Sequence, residues 1–176
     1  MAYLFLVRRF HAALMNACDL VIYAGDAGRV SRRVLQSHSS GNVEGSALRQ
    51  HVAARLGYRL HKSRRAKGST KIRLDMPNPK EGEDAISAYI RSGRWRFVAC
   101  DSASEAEDFQ WYAIAQLSPL LNITRRKWRE EMESRYVGLF SSLATAPLYA
   151  YQNFPRGIAL PGVYVLYHDR LPSGSA

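Results

Sequence analysis

Cysteine is scarce in this chain. Cys18 and Cys100 stand far apart and form no CxxC pair. That spacing argues against a zinc ribbon or finger and supplies no disulfide framework, so both are expected as buried free thiols. Acidic residues are also few, 15 Asp and Glu against 25 Lys and Arg, for a net charge of +10. A balance this basic suits a polyanionic partner better than a neutral metabolite. Long hydrophobic runs are missing too. The opening MAYLFLVRRF is too short for a signal peptide or a membrane span, so a soluble, cytoplasmic chain without membrane contact is expected. There are no internal repeats.

What is present suits one globular domain over 1–176, with 47% hydrophobic residues and three Trp. LVIY at 20–23, RWRFVAC at 94–100 and GVYVLY at 162–167 read as strands. Gly25 and Gly28 are expected to flank a turn. Helices are predicted over 31–38, 45–57, 83–93, from the Ser102/Glu105 capping signal to Leu117, and over 124–136. YLFLV at 3–7 reads as a short strand or a helix start, and 10–18 as helical. The fold class is α/β (α+β), a small central sheet of about three strands flanked by helices. Residues 123–160 read as a helical and aromatic extension within the domain.

The basic charge is concentrated. Twelve Lys and Arg fall between Arg29 and Arg73, against one acid, Glu44. Arg29, Arg32, Arg49, Lys62, Arg64, Arg65, Lys67 and Lys71 are the candidate nucleic-acid contacts, the last five in a polar loop at 62–71.

Three fragments belong together: YAG at 23–25 with Arg33 eight residues on, the helix from Ser102 ending in QLSPLLN at 116–122, and PGVY at 161–164. Together they resemble the GIY-YIG nuclease family. The resemblance implies a divalent-metal-dependent endonuclease (Mg2+ or Mn2+) acting on double-stranded DNA. Tyr23 matches the YIG tyrosine, Arg33 the helix arginine, Asn122 the asparagine after the later helix, and His38 lies one position beyond a histidine of some members. A tyrosine can relay a proton or position water, and the planar fork of an arginine can hold a phosphate.

Two departures stand out. The GIY strand should precede the YIG strand, yet its best match, Tyr164, lies near the C-terminus. Either the domain is circularly permuted, or this strand is exchanged between the chains of a homodimer, or Tyr3 is the first tyrosine. The second departure is chemical. The family's metal-binding glutamate, nine residues before the proline, falls on Gln110, and a neutral amide is a poor magnesium ligand. Glu107 is the stand-in, with Glu105 and Asp108 behind it. Three functions remain open: an active or Glu-to-Gln-disabled endonuclease of restriction, homing or repair type, a catalytically inactive nucleic-acid-binding module, and a basic structural or partner-binding protein.

Overall fold

The structure is a computed structural model and describes residues 20–173. Tyr3, Cys18 and the elements expected over 3–18 lie outside the described residues.

Strand β1 (Leu20–Ala27) is followed by a short helix α1 (Val30–Arg32) that widens into a π-helical turn, Arg33–His38. After a 3-10 turn at Val43–Gly45 come α2 (Ala47–Arg55), the strands β2 (Leu60–Arg64) and β3 (Thr70–Leu74), α3 (Pro79–Ser92) and β4 (Arg94–Ala99). Helix α4 (Ala103–Leu117), a 3-10 turn at Glu130–Met132, α5 (Glu133–Thr145), the two-residue β5 (Tyr149–Ala150), a 3-10 turn at Tyr151–Asn153 and β6 (Gly162–His168) complete the order. The fold class is α+β.

The central sheet runs β1-β6-β4-β5 and is antiparallel throughout. The C-terminal strand therefore pairs with β1 within one chain and occupies the middle of the sheet. It is buried along its whole length. Its residues alternate between two cores. Val163, Val165 and Tyr167 meet Phe109 and Tyr112 of α4 and Tyr136 and Phe140 of α5, while Tyr164 and Leu166 meet Val34, Leu48 and Val52, and Ile86 and Ile90 of α3.

β1 breaks this alternation. Its register against β6 slips between Val21 and Tyr23, so Ile22 and Tyr23 share one face while Val21 and Ala24 take the other. Such a bulge re-aims a side chain, here Tyr23, onto the face that carries Tyr164.

Four sequence expectations change. The glycine turn is shorter than predicted, because β1 runs through Gly25 to Ala27. The polar loop at 62–71 is largely a two-stranded ribbon, β2 against β3. Its outer residues are solvated on both faces, so no apolar alternation marks it. The sheet of about three strands is extended by the two-residue β5. The helix expected over 124–136 begins as α5 at Glu133, because the basic residues ahead of it dock back on α4. Arg125 donates to Ile114 O at 2.7 Å, Arg126 lies over the Trp111 ring, and Arg129 pairs with Asp108.

Among the described residues, no helix is long and apolar enough to cross a membrane. Cys100 is a buried free thiol, pushed up to about 12 chiefly by burial.

Candidate active site

Gly25 stands directly opposite Tyr164 in the β1–β6 ladder. A Cβ there would lie 2.5 Å from Tyr164 Oη and 2.8 Å from Tyr23 Cε1. Both tyrosine rings thus close over this one residue, and only glycine leaves them room. The close approach, rather than a turn, explains the YAG triplet.

The widened turn after β1 supplies the next groups. Its π-type bond, from Ser39 N–H to Val34 O, sets Arg33 and His38 at the two ends of one broad turn. His38 is fully buried, with Nε2 2.7 Å from Tyr164 Oη and Nδ1 2.6 Å from Ser46 Oγ. Its ring is stacked on Trp95, with centroids 6.2 Å apart. Ser46 is the N-cap of α2 and accepts from Arg49 N–H, and its oxygen can also accept from His38 Nδ1–H, the tautomer that leaves Nε2 open to the Tyr164 hydroxyl. Arg33 is half-buried and donates to Gly45 O at 2.9 Å, beside that cap.

Burial, then the positive charges of Arg33 and Arg49, hold His38 well below its ordinary value, so the imidazole is neutral. Burial raises Tyr164 and Tyr23, so both hydroxyls keep their protons at neutral pH. The unfolded chain binds more protons than the folded one below the ordinary histidine value of 6.5. Stability conferred by a neutral His38 is therefore complete above that value and is lost as pH falls below it. His51 and His168 are also depressed and act in the same direction. We expect the melting temperature to drop between pH 7.5 and pH 5.5, and to drop less in His38→Gln. Equal slopes for the two proteins, followed by circular dichroism, would refute the buried neutral imidazole.

Asn122 is engaged with the backbone of β1. Its Oδ1 accepts from Ala24 N–H at 2.8 Å and its Nδ2 donates to Ala24 O at 2.9 Å. Leu120 N–H and Leu121 N–H donate to Val21 O and Ile22 O. Residues 120–122 thus cover the outer edge of β1, which would otherwise stand unpaired. Gln110 reaches the same place: its Nε2 lies 3.4 Å from Ala24 O. The structure therefore brings Tyr23, Arg33, His38 and Tyr164 together, while Gln110 faces the backbone between Tyr23 and Gly25.

Arg49 is likewise no surface contact. It is fully buried and donates to His38 O, Ser87 Oγ, Glu83 O and Glu83 Oε2. Arg65 pairs with Glu44 Oε1 at 2.6 Å, and Arg73 pairs with the other oxygen, fixing the ribbon to the turn before Ser46. Arg29, Arg32, Lys62, Arg64, Lys67 and Lys71 are exposed.

Two residues were not singled out from the sequence. Ser46 orients His38. Asp26 is the acid beside the cluster, and its carboxyl is raised by burial and by Glu107, against the opposing pull of a backbone hydrogen bond and Arg33. The YAG-Asp order was the only sequence signal for it. Glu105 is tied to Arg135, and Asp108 to Arg129. Glu107 is exposed and makes no hydrogen bond or ion pair among the described residues. A hard cation does not fit the amide at 110. Asp26 and Glu107 are the carboxylates near it, close enough for Glu107 to help raise Asp26, and no group of three or more potential metal-ligating side chains occurs among the described residues.

Residues 4–137 match the GIY-YIG catalytic domain. That stretch is more than half of the chain, and the chain belongs to the GIY-YIG family, whose members are in general divalent-metal-dependent nucleases. The match contains Tyr23, Arg33, His38, Gln110 and Asn122, and ends before β6. Comparisons with curated proteins and with solved structures returned no match.

Proposed function

We propose that the chain is an endonuclease that hydrolyses phosphodiester bonds of double-stranded DNA with Mg2+ or Mn2+, using Tyr23, Tyr164, His38 and Arg33, and that Gln110 holds its activity low. One observation carries this reading: two tyrosines close over Gly25, one of them hydrogen-bonded to a buried neutral histidine and the other edge-on to it, with an arginine at their border. Buried hydroxyls joined to an imidazole form a path for a proton. Tyr23, the more exposed of the two tyrosines, faces the attacking water. Tyr164 stands behind it and can accept a proton while passing its own to His38 Nε2. Arg33 takes the phosphate.

The same arginine is one reason that His38 resists protonation. A phosphate seated on Arg33 offsets that charge and makes His38 a better acceptor when substrate is present. Asp26 and Glu107 are the carboxylates that would hold the cation, which would supply charge neutralisation at the phosphate. The exposed ribbon residues Lys62, Arg64, Lys67 and Lys71 supply backbone contacts whose strength falls as salt rises.

A second reading rests on Gln110 alone: a module that binds DNA without cutting it. Nicking of supercoiled plasmid with magnesium or manganese separates the two, with this chain, Gln110→Glu and Gln110→Glu/Tyr164→Phe compared side by side. Nicking by Gln110→Glu that disappears with Tyr164→Phe supports the enzyme. Salt-sensitive binding with no cutting by any variant supports the module.

A further inference from the structure

Beside the candidate active site lies a second cleft that the proposed chemistry does not use. Its volume is about 500 Å³, and its walls include Arg29, Arg32, Gln36, Tyr151, Arg156 and Ile158. Arg29 and Arg32 also line the cleft that holds Asp26 and Arg33, so the two spaces share one basic wall. None of Arg29, Arg32 and Arg156 has a carboxylate partner among the described residues. Arg49, Arg65, Arg73, Arg129 and Arg135, by contrast, each pair with an acid. Three arginines left unpaired around one hollow leave a concentrated positive field there.

The walls are tied together. Ser31 Oγ donates to Ile158 O at 2.7 Å, and Val30 N–H donates to Leu160 O at 3.3 Å. Phe154, buried in the core, anchors the turn that carries Tyr151. Arg91 lies over the Tyr151 ring, 5.3 Å from its centroid, while its Nε donates to Ser39 O. The tyrosine is thereby held in place, backed by Arg91, where it lines the cleft.

Resting on the nuclease reading above, we propose that this cleft binds one unpaired nucleotide of the substrate, with its phosphate on Arg29, Arg32 and Arg156 and its base stacked on Tyr151. A duplex backbone needs only an exposed basic surface. A hollow of single-nucleotide size with an aromatic wall serves a base whose face is open, and stacking of that kind is indifferent to sequence. The chain would then prefer DNA with a single-stranded overhang or branch next to the duplex.

The test is binding of a blunt duplex and of the same duplex with a short overhang, by fluorescence anisotropy without divalent metal. The first overhang base is replaced by 2-aminopurine in a parallel titration. We expect the overhang to be bound about tenfold more tightly by the wild type. Tyr151→Ala should abolish that preference and the fluorescence quenching, leaving blunt binding unchanged. Tyr151→Phe should keep both, and Arg156→Gln should lower the salt slope on overhang DNA by about one. Equal binding of the two DNAs by the wild type overturns the cleft proposal and leaves the nuclease reading standing. So does equal loss on both DNAs in Tyr151→Ala. Absence of binding to either DNA by the wild type overturns both.

Discussion

Gln110→Glu nicks supercoiled plasmid in magnesium at least about 100-fold faster than the wild-type chain, the size of effect expected from restoring one charged group at a reacting phosphate. The side chain at 110 is nearly buried and already points at Ala24 O, next to Tyr23 and Gly25. An amide is at ease there, because its Nε2 can donate to that carbonyl. A carboxylate cannot donate, so a cation would stabilise it in that position. The gain should therefore require divalent metal and vanish with EDTA, and the variant's thermal stability should rise on adding magnesium while that of the wild type changes less. If both proteins cut equally, the cation is served by Asp26 and Glu107 alone, and Asp26→Asn should then remove the activity. If neither cuts, yet both bind plasmid, the binding-only reading replaces the enzyme.

Arg49→Ala should cost about 3–5 kcal/mol of folding stability, measured as a fall in the urea midpoint. The guanidinium makes four hydrogen bonds, to the carbonyls of His38 and Glu83, to Ser87 and to the Glu83 carboxylate. Removing it leaves the partly buried Glu83 carboxylate without its cation and the His38 carbonyl without its donor. Arg49→Met/Glu83→Gln, which fills the space and takes away the orphaned charge, should recover part of the loss. A cost below about 1 kcal/mol for Arg49→Ala would mean that solvent reaches Glu83 and that the pair is not structural.

These two residues also mark where the sequence could be read and where it could not. The placement of Gln110 follows from local pattern. A capped helix with apolar residues three and four apart fixes its register, and the structure agrees from Ala103 to Leu117. The same is true of β6, whose unbroken apolar run announces a strand buried on both faces. Arg49 was not legible, because an arginine on a helix normally reads as surface and its partners lie on α3 and in the turn at His38. The ribbon was missed for the opposite reason: only its inner end, Leu60, Ile72 and Leu74, meets the core, too short a pattern to stand out as a period of two. The bulge in β1 is a tertiary event. Strict alternation would have placed Tyr23 on the wrong face, and only pairing with β6 reveals the slip. Asp26 and Ser46 gained meaning once folding had placed them beside distant groups.

The position of β6 has a consequence for how the molecule comes into being. The ribosome delivers residues 162–168 after the other strands of this sheet, yet they belong between β1 and β4. Until they emerge, two strand edges wait without their common partner, and sheet closure joins residues separated by most of the chain, the slow kind of folding. A nascent chain halted before this point has neither its central strand nor Tyr164. The proposed cutting machinery is thus completed by the last of the sheet's strands to be translated, and synthesis interrupted before it should yield fragments that do not cut.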